Sequence, residues 1–142
     1  MREAVIDASV CVKWVVELAH SATAILLLRC EALHAPDHWL AEAVNMLWAK
    51  VFRGDLTATD AEERMAVLLR APIVGTPIAA LLPRALAISL AHMVTIYDAL
   101  YVALAEKRDI PLVTADERLI RRLSGVAALG QRMIWVGDLS AS

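Results

Sequence analysis

Apolar residues along this chain follow two rhythms. Short runs rich in Val and Ile recur at Glu3–Asp7 (EAVID), Pro72–Thr76 (PIVGT), Pro111–Asp116 (PLVTAD) and Met133–Gly137 (MIWVG), with a weaker one at Leu33–Pro36 (LHAP), and they read as strands. Between them the spacing lengthens to the three-to-four-residue period of amphipathic helices. In the segment Asp37 to Arg53, Trp39, Leu40, Ala43, Val44, Leu47, Trp48 and Val51 fall on one broad apolar arc, and Glu42, Asn45 and Ala49 on the stripe opposite. Met46 and Phe52 flank that stripe and narrow it, as expected where a polar stripe faces a cleft in the protein. Thr59 with Glu62 predicts a capping box ahead of AEERMAVLLR, Gly54 a left-handed helix end after Arg53, and Ser124–Arg132 a loop. Strands alternating with helices imply parallel pairing through crossovers. The expected fold is therefore α/β: a three-layer sandwich with a central parallel sheet of about five strands flanked by helices, in one domain over residues 1–142.

Composition adds two constraints. With 59% hydrophobic and 21% charged residues the chain is globular, and with only 5% aromatics its core must be built mainly from Ala, Leu, Val and Ile. The apolar bias raises the question of a membrane span. The longest apolar region, Ala71 to Ala105, is interrupted by Arg84, His92 and Asp98 and broken by Pro72, Gly75, Pro77 and Pro83, so its uncharged pieces fall short of the roughly 18–20 residues a span needs. The N-terminus meets Asp7 too early for a signal peptide, and a soluble, cytoplasmic protein without membrane contact is expected. Cys11 and Cys30 have neither metal nor disulfide spacing and read as small buried hydrophobes. A net charge of −2 does not favour a polyanion; binding one would require a local cationic patch or a metal.

In open α/β sheets ligands bind beyond the carboxyl ends of the strands, and two acids fall there. Asp7 closes the first expected strand and Asp116 the fourth, although each also suits a helix N-cap, a role Ser9 could fill in place of Asp7. Thr114 would share a face with Asp116 if the strand continues that far. Glu42 lies on the narrow polar stripe, facing either solvent or a cleft. Asp98 is the oddest of the four, a carboxylate inside the almost wholly apolar TIYDALYVALA, Thr95 to Ala105. A capping box with Thr95 would explain it. The four together suggest more, because clustered carboxylates repel one another unless protonated or neutralised. Hard divalent ions favour such oxygen donors, so convergence of the four would make a Mg²⁺ or Mn²⁺ site.

Four stretches, VIDASVCVKWVVE, AEAVNMLW with Pro36 before it, YDALYVALAE and LVTAD, occur in order between Glu3 and Gly137. In that order and spacing the chain resembles the PIN-domain family, and within it the VapC-type toxins of prokaryotic toxin–antitoxin pairs. The resemblance implies a metal-dependent ribonuclease in which Asp7, Glu42, Asp98 and Asp116 hold one or two Mg²⁺ or Mn²⁺ ions, with the hydroxyls of Ser9 and Thr114 beside them. Asn45 matches a polar position one turn after the second acid. It further implies an RNA substrate cut to a 5′-phosphate and a 3′-hydroxyl, a homodimer, and a cognate VapB-like antitoxin that covers the active-site groove. The apolar stretches Cys11–Val16, Ala22–Leu28 and Ile78–Leu90 suit either partner surfaces or core. The chemistry needs no histidine, and His20, His34, His38 and His92 lie in no motif of the family, so all four are expected to be structural or surface residues. Lys13, Lys50, Arg53, Arg84, Arg118, Arg121 and Arg122 are the candidate phosphate contacts. The chain departs from many relatives at Leu119, where an aromatic is common, and Glu117 suits either an outer acid or an exposed first-turn residue. A haloacid-dehalogenase-like phosphatase would need an acid at Ser9, and a receiver domain would need paired acids near the first strand. A PIN-like module that binds RNA or protein without cleaving stays open beside the nuclease.

Overall fold

Five short strands, β1 (Glu3–Ile6), β2 (Ala32–Pro36), β3 (Ile73–Thr76), β4 (Leu112–Thr114) and β5 (Met133–Trp135), pair in parallel in the order β3-β2-β1-β4-β5. The structure, a computed structural model, describes residues 1–140; the last two residues of the expected domain lie outside it. Between the strands run α1 (Ala8–Cys11), α2 (Ser21–Ile25), α3 (Trp39–Phe52), α4 (Ala58–Leu68), α5 (Leu82–His92), α6 (Ile96–Arg108) and α7 (Glu117–Leu123). This is the expected three-layer α/β architecture. The centre of the sheet is apolar because both its faces are covered: Ala4, Val5, Ile6, Leu112 and Val113 are all fully buried. β1 stops at Ile6 and β4 at Thr114. Asp7 and Asp116 therefore lie just past the ladder, each at the start of the next helix.

Helix α6 packs across β1, β2 and β4, with α5 against it. Every residue from Ala99 to Ala105 is buried, which is why this segment is apolar on all sides. Among the described residues no single helix is long and apolar enough to cross a membrane; α5 and α6 pass only as a pair, and they meet at 116°.

The helix ends follow local chemistry, with one correction. Gly54, at φ +83°, closes α3 as expected: its N–H donates to the Val51 carbonyl and that of Asp55 to the Lys50 carbonyl. The capping box of α4, however, is Thr57 with Asp60 and not Thr59 with Glu62. The Thr57 hydroxyl accepts from the Asp60 amide at 3.0 Å and the Asp60 carboxylate from the Thr57 amide at 3.3 Å. Both pairs have the right spacing, but only the Thr57 frame puts an apolar residue, Leu56, before the cap and Ala61 on the first turn, both packed on the core. Thr57→Ala should lower stability by about 1 kcal/mol, read as a shifted urea midpoint, while Thr59→Ala should be close to neutral.

One face of α3 departs from the expected pattern. Trp39, Ala43 and Leu47 are buried, but Trp48 is 59% and Phe52 77% exposed, their rings stacked at 5.5 Å. Trp48 thus belongs to an outward-facing aromatic pair and not to the buried arc. The loop Ser124–Arg132 is irregular as expected, except for one 3₁₀ turn at Gly130–Arg132.

Candidate active site

Where β1 ends, the backbone stays extended at Asp7 and α1 begins. The Asp7 carboxylate caps that helix by accepting from the Val10 amide at 3.3 Å. The same oxygen accepts the Ser9 hydroxyl and the other accepts the Thr114 hydroxyl. Ser9 Oγ in turn accepts from the Ala115 amide at 3.1 Å and Thr114 Oγ1 from the Asp116 amide at 3.0 Å. Backbone donors past the end of β4 therefore anchor both hydroxyls, each of which donates to the Asp7 carboxylate. Thr114 does not share a strand face with Asp116, because β4 has ended; its hydroxyl turns across to β1.

Asp116 caps α7, with Oδ1 accepting from the Arg118 and Leu119 amides at 2.9 and 3.2 Å. Asp98 lies in the first turn of α6. Of the expected capping box, the Thr95 half forms: its hydroxyl accepts from the Asp98 amide at 3.2 Å, and no return bond from the Thr95 amide to Asp98 is made among the described residues. The cap explains the turn and leaves the Asp98 carboxylate uncommitted to the backbone. Glu42 lies in the first turn of α3, and its Oε1 accepts from the Tyr101 hydroxyl at 2.6 Å. All four acids, with Ser9, Met46 and Tyr101, line one pocket past the carboxyl ends of β1 and β4. Asn45 is exposed and lies outside that lining, and Glu117 is an exposed first-turn residue. Leu119 is a buried core residue.

Burial and mutual repulsion shape the charges here. Burial pushes the Asp7 carboxyl up to about 6, against the pull of Ser9, Thr114 and Val10, and the charge of Asp98 adds to the rise. Burial, followed by the charges of Asp116 and Glu42, likewise raises Asp98. Glu42 goes the other way: burial works to raise it, but the bonds from His38 and Tyr101 outweigh that and hold it below the usual range. Burial and then Glu42 drive the Tyr101 phenol far upward, which fixes it as a donor.

A second pocket shares Asp98 and Asp116 with the first and continues past Thr95 to Arg118 and Arg122, one turn apart on α7. Of the candidate phosphate contacts, these two adjoin the acids directly. Arg84 is engaged elsewhere, bidentate to Glu106 at 2.7 and 3.0 Å, and Lys13 donates to the Ala19 carbonyl at 2.6 Å.

The sequence reading missed His38. Its Nε2 lies 3.1 Å from Glu42 Oε1 and 3.1 Å from the Tyr97 carbonyl, and its ring packs on that of Tyr101 at 4.8 Å. The His38–Glu42 spacing, four residues at a helix start, was the signal available.

The four acids do not form a closed cage: among the described residues, no three His, Cys, Asp or Glu side chains make a ready metal-binding group. Mg²⁺ asks for less, usually one or two carboxylates, with water and substrate phosphate completing its shell. The donors facing the pocket are hard carboxylate and hydroxyl oxygens, and the like-charge repulsion that adds to burial in raising Asp98 and Asp7 is what a cation would relieve. These residues fit a hard divalent ion.

Fold and site together define an α/β domain with an acidic cleft past the carboxyl edge of its parallel sheet. The PIN domain family model matches residues 4–125, and the chain belongs to that family. It is 33% identical over 129 residues to Ribonuclease VapC3 of Mycobacterium tuberculosis, covering 90% of this chain and 93% of that one. It is 31% identical over 115 residues to Ribonuclease VapC12 of the same organism, covering 81% and 88%. Among solved structures, PAE2754 from Pyrobaculum aerophilum matches with a TM-score of 0.72 at 24% identity, covering 95% of this chain and 91% of that one, a likeness of fold.

Proposed function

We propose that this chain is a metal-dependent endoribonuclease, the toxin of a VapBC-type toxin–antitoxin pair, acting in the cytoplasm with Mg²⁺ or Mn²⁺ held by Asp7, Glu42, Asp98 and Asp116. The observation that carries the reading is the meeting in one pocket of four acids, two just past the ends of β1 and β4 and two from the first turns of α3 and α6. The ribonuclease names of relatives aligned over most of the chain support it. When bound, the ion supplies Lewis acidity: charge neutralisation at the scissile phosphate and a hydrolytic water of lowered pKa. The chain's own residues do the rest. Asp7, held by Ser9, Thr114 and the Val10 amide, is the fixed point of the site. Asp116 commits Oδ1 to its helix cap and keeps Oδ2 for the cleft. Arg118 and Arg122 bind phosphates of the RNA strand beside Asp98 and Asp116, where an Arg fork suits a phosphate.

A VapB-like antitoxin and a second copy of the chain are the partners of this reading. The outward apolar residues Trp48 and Phe52 on α3, and Leu86, Leu90 and Met93 on and after α5, give such partners surface to cover.

Incubation of the purified protein with RNA tests the reading. Cleavage should proceed in Mg²⁺ or Mn²⁺, yield 5′-phosphate ends, stop in excess chelator and resume when the ion is restored. RNA that is bound but left uncut at saturating Mn²⁺ would instead mark a binding module.

A further inference from the structure

Tyr101 presents a physical puzzle. It is 2% exposed and the bulkiest of the fully buried side chains, in a stretch of α6 otherwise made of Ala, Leu and Val. A phenylalanine would fill that space without a hydroxyl to satisfy. The hydroxyl finds its partner on another helix, in Glu42 Oε1 at 2.6 Å. His38 Nε2, hydrogen-bonded to the Tyr97 carbonyl, lies 3.1 Å from the same oxygen as a close polar neighbour. Nε2 faces only acceptors, Glu42 and the Tyr97 carbonyl, so it carries the hydrogen. The Tyr101 bond, with His38 Nε2 beside it, engages Glu42 through Oε1 and leaves Oε2 without a bond from either residue.

We propose that Tyr101 and His38 are positioning residues that hold Glu42 by Oε1 so that Oε2 serves as its single metal-ligating oxygen. The inference rests on the proposed role of Glu42 as a metal ligand. Its geometric basis lies in α6. Asp98 and Tyr101 are three residues apart and so share one face of that helix, and both line the pocket. One rigid, buried helix thus carries one ligand and the clamp that orients another. The ring of His38, packed on that of Tyr101 at 4.8 Å, holds the clamp from the α3 side. Orienting partners of this kind tune metal affinity without touching the ion.

Titration of Mn²⁺ by calorimetry into wild type, Tyr101→Phe, Glu42→Gln and the double variant tests the inference without reading activity. Tyr101→Phe should weaken Mn²⁺ binding by about 10-fold, and the double variant should bind no more weakly than Glu42→Gln alone, because the clamp acts only through that carboxylate. Mn²⁺ affinity unchanged in Tyr101→Phe, or losses that simply multiply in the double variant, would overturn the inference and leave the metal reading standing. A wild type that fails to bind Mn²⁺ would overturn the metal reading and the clamp with it. Should Tyr101→Phe not fold, His38→Leu in the same cycle removes the imidazole beside Oε1 and carries the same two outcomes.

Discussion

Asp98→Asn should cut RNA cleavage by more than about 100-fold, beyond the loss expected for an outer partner of a metal ligand, and leave the fold standing. The helix start does not depend on this carboxylate: Thr95 caps α6 through its own hydroxyl, accepting from the backbone amide of residue 98, and that bond survives the substitution. Asn has the same shape, and its first-turn position disturbs no core contact of Ala99 to Ala105. The lost charge is one that burial and then the neighbouring charges of Asp116 and Glu42 already disfavour, so its removal relieves repulsion. The thermal midpoint in chelator should therefore equal or slightly exceed that of wild type. Single-turnover cleavage and a melting curve on one preparation measure both quantities. Wild-type cleavage by Asp98→Asn would remove this residue from the site. Equal loss of cleavage and of stability would reduce it to a structural cap.

β1 and β4 were legible because central parallel strands are covered on both faces and stand out as short β-branched runs, whereas β2, reading Ala-Leu-His-Ala-Pro, was fainter. The two acids at the ends of β1 and β4 were legible for the same reason, since an Asp within two residues of such a run marks the carboxyl edge. The clamp on Glu42 was not. Tyr101 reads as a core residue because it is one, and only three-dimensional packing brings its hydroxyl to an acid 59 residues away. His38 was overlooked because it lies in none of the family's motifs, although its four-residue spacing from Glu42 was visible. Trp48 shows a different limit: periodicity groups apolar residues on a face without saying whether the protein itself or something outside it covers that face. The Thr57 frame won over the Thr59 frame through Leu56, a contact with the core that the spacing of caps alone does not weigh. Arg84 was an equal candidate for gripping phosphate until its bidentate pairing with Glu106 removed it.

Asp7→Asn should make the protein more stable at pH 8 and not at pH 4, a pH-dependent gain that separates a buried functional charge from an ordinary cap. Burial raises the Asp7 carboxyl from 3.8 to about 6, so the folded chain holds a proton that the unfolded chain has already released. A group raised in this way contributes its full stability below about pH 4 and loses it as pH climbs through 6. By pH 8 the ionised carboxylate costs the fold about 3 kcal/mol relative to acid conditions. Asn carries no such cost. It also keeps the contacts: its carbonyl oxygen accepts from Ser9 and Val10, and the Thr114 hydroxyl accepts as readily as it donates. In chelator, the midpoint of Asp7→Asn should exceed that of wild type by roughly 5–10 °C at pH 8, with the difference vanishing towards pH 4. Groups elsewhere titrate alike in both proteins and cancel in the comparison. Mn²⁺ at pH 8 should then raise the wild-type midpoint while leaving that of Asp7→Asn unmoved. A midpoint difference that is flat with pH would mean that Asp7 serves α1 as a cap and nothing more, a task Asn performs equally well.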